Sequence, residues 1–397
     1  MIGSEKMSKR ILIVNDEMVV GGVARVLNNL LTTLVKTTDY EIDLLVLHKH
    51  GEMLKGVPKE VRVLEGSKFF SVIDLPLGQL IKSKNLALIA RKLYLVFLMK
   101  AGMIGNKIKR ERKKMKLDSY DVEIAFKEGF CTIFVANGNS KKKVNWVHLD
   151  YKVQNFSSNY MPLLKKTLSL MDEQVAVSKV AAASYQEVFE LSKPVKVIHN
   201  IIQEDLIKQK YNVEIDETRS TFFKQEALTF ISVGRLVDQK GYDRLLEIHH
   251  RLIQEGLLHH IMIIGGGEEE AVLKQKIKAY QVEETFKLIG YRENPFPYFK
   301  LADCFLLPSR YEGLPTVVFE SLLCLTPVLA TKVAGIEEQL KNNEYGIVVD
   351  NNENSFYEGM KDLIKHPEQL NVMEAHLLTY HYHNNQIVEQ IKEIVEE

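Results

Sequence analysis

Cysteine is scarce: Cys131, Cys304 and Cys324 are the three in 397 residues, an odd number with no paired spacing. That argues against a disulfide framework and against a zinc site, and it fits a reducing compartment. Long apolar runs are also missing. No 18-residue uninterrupted apolar stretch occurs, as a membrane-crossing helix would need. The opening MIGSEKMSKR leads through a short apolar run into Asn15 and Asp16, which is not a signal-peptide core. There is no Asp-x-Asp pair, and the Gly21-Gly22 turn lacks the third glycine of a dinucleotide fingerprint. Net charge is absent too, because 52 basic residues balance 52 acidic ones.

What is present is the composition of a folded chain, 46% hydrophobic and 26% charged. Its length exceeds one hydrophobic core and predicts two domains. The zero balance hides a polarity: residues 1–200 hold 32 lysines and arginines against 20 acids, leaving 20 against 32 for the remainder. The two halves are therefore expected to face different partners. Apolar runs at 11–15, 42–47, 61–64, 122–125, 144–147, 174–177 and 195–198 read as strands, and 23–35 has helical spacing. After a polar stretch at 203–225, strands are expected at 228–233, 261–264, 286–289, 304–307, 327–330 and 346–349, with helices at 242–254 and 269–280. Strands alternating with helices predict parallel sheets with crossovers. The reading is α/β, with Rossmann-like halves at 1–200 and 201–379 and a closing helix at 380–397 packed back on the first. Ligands of such sheets sit outside the strand C-termini, which places the site in a cleft between two facing sheets.

Residues 304–338, CFLLPSRYEGLPTVVFESLLCLTPVLATKVAGIEE, carry the densest chemistry. A strand runs through a loop with Pro308, Arg310, Glu312 and Gly313 into a helix whose first turn is expected to hold Pro315 and Thr316. Free amides at a helix start favour an anion. Glu312 and Glu320 flank that start and suit sugar hydroxyls, since ionised carboxylates only accept hydrogen bonds. Arg235 and Lys240, in VGRLVDQKG, follow the strand at 228–233 and could neutralise a diphosphate leaving group where no metal is held.

The order GGVAR (21–25), WVHLD (146–150), GRLVDQKG (234–241), IIGGGEEE (263–270), LIGY (288–291) and the block from Glu312 to Glu320 resembles family 4 of the retaining glycosyltransferases, which have the GT-B fold. The resemblance spans nearly the whole chain. It implies that Glu312 holds the transferred sugar, Glu320 the donor ribose, and Arg235 and Lys240 the diphosphate. Gly21, Gly22, Gly234, Gly290, Tyr291, Gly313, Leu314, Pro315 and Thr316 are implied on the donor side. His148 is implied beside the anomeric carbon, and Asp150 is a candidate for an acceptor hydroxyl. One departure stands at Ala334-Gly335, where relatives often have two glycines.

The expected function is therefore transfer of a sugar from a nucleoside diphosphate donor, a UDP-sugar, to an acceptor hydroxyl with retention and with neither metal nor cofactor. Residues 82–116 hold twelve lysines and arginines and one acid, Glu111, interleaved with apolar residues. Such a segment suits an anionic membrane surface or a solvated helix pair, and carries no nucleic-acid motif. The membrane reading implies a lipid-linked or membrane glycan acceptor in bacterial surface polysaccharide or glycolipid synthesis, with the protein cytoplasmic and held at the inner face of the membrane. An epimerase acting on the same donor and a non-catalytic partner subunit of the same fold remain as alternatives.

Overall fold

The computed structural model describes residues 8–73, 75, 77–117, 119–153, 161–215, 221–223 and 227–397. The opening residues 1–7 and part of the polar stretch at 203–225 lie outside the described residues. The chain divides into one unit of Met1–Ile201 with Asn384–Glu397 and another of Ile202–His383.

The first unit is built on a seven-stranded parallel sheet. Its strands are β1 (Arg10–Asn15), β2 (Glu41–Val46), β3 (Arg62–Glu65), β4 (Val122–Ala125), β5 (Lys142–Val147), β6 (Glu173–Ala176) and β7 (Lys196–Val197), in the order β3-β2-β1-β4-β5-β6-β7. Near-continuous apolar runs suit strands covered on both faces, and five of the six residues of β1 are buried. The helix Gly22–Thr37 follows β1 and buries Ala24, Val26, Leu27, Leu30, Leu31 and Leu34, a stripe at three- and four-residue spacing. The run at 195–198 shrinks to the two residues of β7 at the sheet edge. The last helix is Asn384–Glu396, shorter than the sequence suggests and preceded by a separate helix, Glu368–Leu377. It buries Ile387, Val388, Ile391, Ile394 and Val395, and Glu396 accepts a hydrogen bond from the Tyr40 hydroxyl at 3.2 Å.

The second unit carries β8 (Thr229–Val233), β9 (His260–Ile264), β10 (Phe286–Leu288), β11 (Cys304–Leu307), β12 (Val328–Thr331) and β13 (Gly346–Val349), all parallel, in the order β10-β9-β8-β11-β12-β13. In each sheet the winding direction reverses beside the first strand, between β1 and β4 and between β8 and β11. Those reversals are the topological switch points where α/β sheets bind ligands. The stretch at 203–225 is not a bare linker, because it contains the helix Glu204–Tyr211.

The basic segment is not one amphipathic face. It folds as Leu77–Lys82, Leu86–Lys100 and Ile104–Lys114. Several of its cations serve the first unit's own structure. Arg112 is buried and pairs with buried Glu123 at 2.6 Å, and its guanidinium lies 4.9 Å from the Phe134 ring centre. Lys107 and Lys114 hold Glu111 at 2.9 and 3.0 Å. Arg91 and Lys92 donate to the backbone carbonyls of Lys68 and Val72, each at 2.9 Å. An unpaired buried charge is costly, so these positions were set by the fold.

Candidate functional site

In the second unit the loops after β8 and β11 are stitched together at the switch point. Gly241 ends the first loop at φ +67°, and a Cβ there would lie 2.2 Å from the Pro308 carbonyl oxygen, so the backbones meet only across a glycine. The Arg310 amide donates to Gln239 O at 2.8 Å, and the Gln239 side chain donates to Tyr311 O at 2.9 Å. Arg310 forms a two-pronged pair with Asp243 at 2.8 and 2.7 Å, which spends this cation on structure. Arg244 donates to Pro308 O and, at 2.8 Å, to Ser309 O.

This stitching brings Lys240 and Glu312 into contact across 72 positions of sequence: Nζ lies 2.6 Å from Oε1. Their side chains are 16% and 9% exposed, and the fully buried Ser309 hydroxyl donates to the same oxygen at 2.7 Å. Lys240 has two further ammonium hydrogens to offer a ligand. Arg235 is exposed and has no ion-pair or hydrogen-bond partner among the described residues. The loop then enters the helix Thr316–Leu323, with Pro315 as its extended N-cap and not inside its first turn as the sequence suggests. Glu320 is buried one turn in, at 4% exposure. Gly335 explains the departure at Ala334. The left-handed residue of that turn is the second one, at φ +76°, where a Cβ would lie 2.6 Å from Leu314 Cδ1. Alanine is tolerated before it.

Glycines also pack the neighbouring strand ends. Gly234 donates to Ile264 O at 3.0 Å, and a Cβ on Gly265 would fall 1.8 Å from Gly234 O. Gly265 in turn donates to the carbonyl of Gly290, which sits at φ +73° and precedes the exposed Tyr291.

In the first unit, Gly21 and Gly22 lie at the start of the helix after β1. Gly21 is extended at φ 174°, and a Cβ on Gly22 would meet nothing within 4 Å among the described residues. His148 follows β5 and is buried: it is 7% exposed and its ring lies 4.8 Å from that of Phe126. Burial lowers its pKa to about 4, partly offset by a hydrogen bond with the Phe126 backbone, so the ring is neutral at pH 7. Its Nε2 has no hydrogen-bond partner among the described residues. Asp150 accepts from the Lys152 amide at 2.9 Å and shapes the turn behind His148.

Glu128 is a site residue that the sequence does not advertise. Its Oε2 accepts the His148 amide at 3.2 Å, while Oε1 is buried without a partner. The residue as a whole is partly exposed, but its carboxylate is the buried end, and desolvation pushes its pKa up to about 7. A carboxylate directly after a strand, in VEIAFKEG, was the available signal. The candidates thus form two groups: Gly234, Arg235, Lys240, Gly290, Tyr291, Gly313, Leu314, Pro315, Thr316, Glu312 and Glu320 in one unit, and Gly21, Gly22, His148 and Asp150 in the other.

The likeness to known proteins follows this geometry. With a TM-score of 0.69 and 16% identity, the structure of Anabaena HepE in complex with UDP superposes on 97% of this chain and 100% of its own. The architecture is the GT-B fold, an α/β arrangement built on two parallel sheets. Residues 214–376 match the family model described as Glycosyl transferases group 1. An uncharacterized glycosyltransferase of Haemophilus influenzae is 26% identical over 299 residues, covering 74% of this chain and 80% of that protein. The N-acetylgalactosamine-N,N'-diacetylbacillosaminyl-diphospho-undecaprenol 4-alpha-N-acetylgalactosaminyltransferase of Campylobacter jejuni is 33% identical over 137 residues, 34% of this chain and 37% of its own length.

Proposed function

We propose that this chain is a retaining glycosyltransferase that moves a sugar from a UDP-sugar to an acceptor hydroxyl without a metal ion. The observation that carries the proposal is the part-buried Lys240–Glu312 pair at the switch point of the second unit, in the same unit as Arg235, unpaired among the described residues, and the start of the helix Thr316–Leu323. An acid and a base held together this way neutralise each other until a ligand brings both a diphosphate for the cations and hydroxyls for the carboxylates. HepE, of the same fold, is seen with UDP, which supports the choice of base.

In this reading Arg235 and Lys240 stabilise the leaving diphosphate, Glu312 orients the sugar and Glu320 takes the ribose hydroxyls. The acceptor oxygen bonds to the anomeric carbon on the face that the diphosphate leaves. The acceptor proton passes to the departing phosphate oxygen, so no enzyme nucleophile is needed. His148, neutral with Nε2 unpartnered, offers a hydrogen bond to the reacting sugar, and Asp150 one to the acceptor.

The acceptor proposed is lipid-linked and the protein peripheral at the cytoplasmic face of the membrane. Among the described residues no helix is long and apolar enough to cross a membrane. The helix Leu86–Lys100 is apolar on two sides, however. Leu95 and Leu98 enter the core, while Leu86, Leu93 and Phe97 stand 79%, 52% and 58% exposed at helical spacing, beside exposed Lys82, Lys84 and Lys100. An exposed apolar stripe flanked by cations matches an anionic lipid surface. The similarity to the Campylobacter enzyme, whose name describes an undecaprenol-linked acceptor, supports the same choice.

A panel of nucleotide sugars tests the donor assignment by thermal shift, because a ligand of the folded state raises its melting temperature. A UDP-sugar is expected to stabilise the wild type and not Lys240→Ala. No shift with any UDP-sugar refutes the donor assignment, and isomerised nucleotide sugar formed without acceptor marks an epimerase instead.

A further inference from the structure

Apart from the groups assigned to sugar transfer, the first unit gathers Glu17, His48 and His50 at the C-terminal ends of β1 and β2. One ligand atom from each lies within 4.8 Å of the others. Glu17 Oε2 is 3.5 Å from His50 Nε2, and the two imidazole centres are 4.1 Å apart.

The loops that present these side chains are fixed from both sides. The His48 amide donates to Asp16 O at 2.8 Å, the Met18 amide to His50 O at 3.0 Å, and the Met53 amide to Met18 O at 3.0 Å, so Glu17 sits between paired backbones. Asn15 Nδ2 donates to Glu17 O at 2.7 Å, and the Glu17 amide to Asp16 Oδ1 at 2.8 Å. Gly51, at φ +112°, lets the strap pass: a Cβ there would sit 2.1 Å from Met18 O. His50 Nδ1 lies 3.1 Å from His48 O, which fixes the proton on Nδ1 and leaves Nε2 as the lone-pair nitrogen facing Glu17. Histidine ligands of metals are held in this manner, with the second ring nitrogen donating to a carbonyl.

We propose that Glu17, His48 and His50 bind one divalent transition-metal ion of the zinc class, with water completing the shell. Two imidazoles and a carboxylate suit zinc, nickel or copper and disfavour magnesium and calcium, which prefer all-oxygen shells. Ligand nitrogens around zinc stand roughly 3.3 Å apart in a tetrahedron of bonds near 2.0–2.1 Å, so the ligand atoms, now within 4.8 Å of one another, converge by up to about 1.5 Å through side-chain rotation. Asp16 is engaged by Lys127 and does not compete. The bound ion would staple the loop after β1, which leads to Gly21 and Gly22, to the loop after β2. It lies outside the proposed transfer chemistry, so EDTA would remove it without abolishing turnover.

The test is calorimetric titration of the tag-free full chain with zinc chloride alone, followed by cobalt(II) absorption. One equivalent of zinc is expected, magnesium does not displace it, and cobalt gives the intense visible bands of a four-coordinate site. His48→Ala with His50→Ala is expected to weaken binding by about 100-fold or more, and Glu17→Gln, which keeps the loop's size and backbone, by about 10-fold. Circular dichroism checks that each variant is folded. Uptake below half an equivalent at 100 µM zinc (roughly a Kd above 10⁻⁴ M) overturns the proposal. So does equal affinity in folded Glu17→Gln and wild type.

Discussion

Removing the Lys240 ammonium tests whether the pair at the switch point is a coupled, desolvated unit. At 2.6 Å the attraction between the two charges amounts to about 6 kcal/mol at an effective dielectric near 20. Desolvation of both groups cancels much of that, and deleting one partner of a buried pair costs about 3–5 kcal/mol because the other charge is stranded. Here Glu312 keeps the Ser309 hydroxyl at 2.7 Å, and both side chains retain some exposure, so we set the loss for Lys240→Ala at about 2–3 kcal/mol. For a unit of this size that is a fall in melting temperature of about 5–10 °C. Glu312→Gln should cost a similar amount, while the double variant Lys240→Ala with Glu312→Gln should recover about 2 kcal/mol of the summed losses. Calorimetric or urea unfolding of the four proteins measures the coupling. Additive losses, or a Lys240→Ala cost below about 0.5 kcal/mol, refute the coupled pair and with it the idea that a donor must supply both phosphate and hydroxyls to replace it.

Three further expectations come from particular side chains. In the second unit His259 donates Nδ1–H to Leu257 O at 2.8 Å and its Nε2 accepts from His249 Nδ1 at 2.8 Å; burial lowers the His259 pKa to about 4. Because the folded value lies below the unfolded one near 6.5, this stability is complete above pH 6.5 and is lost as pH falls toward 4; urea unfolding should find about 2 kcal/mol less at pH 5 than at pH 7.5, and a flat profile contradicts it. Glu128 has the opposite displacement, raised to about 7 by burial, so its charge destabilises the fold above that pH; Glu128→Gln should be more stable than wild type by about 1–3 kcal/mol at pH 8, with the difference vanishing by pH 4, and a less stable variant at pH 8 contradicts this. Flotation with anionic liposomes should carry the wild type but lose most of Leu93→Ser with Phe97→Ser, and charge reversal at Lys109 and Arg110 should weaken it further at physiological salt; full flotation of both variants removes the membrane reading.

Much of the fold was readable because buried parallel strands announce themselves as continuous apolar runs. The runs at 122–125 and 304–307 coincide with β4 and β11, and the helix Tyr242–Gln254 matches its apolar spacing. Errors fell where tertiary contacts decide. The run at 195–198 pairs over two residues because it lies at a sheet edge, and the closing helix starts at Asn384, after the non-helical residues 380–383 that follow the helix Glu368–Leu377. The lysines and arginines at 82–116 looked alike in sequence, yet Arg112 meets Glu123 inside the protein, a pairing that no local pattern contains. Arg235, Lys240 and Glu312 of the proposed donor site were visible as types in strand-end loops, and Glu320 on the helix that follows. Their linkage was not, since Ser309, Gln239 and Asp243 act through contacts made after the loops converge. The burial of His148 was not legible, because it comes from contacts with Phe126 and Glu128, which follow β4.

The central claim, that the loops after β8 and β11 hold a nucleotide sugar for transfer, is most directly tested by following UDP release from a UDP-sugar in EDTA with wild type, Glu312→Ala and Lys240→Ala. The account predicts slow metal-free release by the wild type, accelerated by a lipid-linked acceptor, and a loss of at least about 100-fold in both variants. A strict requirement for divalent metal, or undiminished release by both variants, would contradict it.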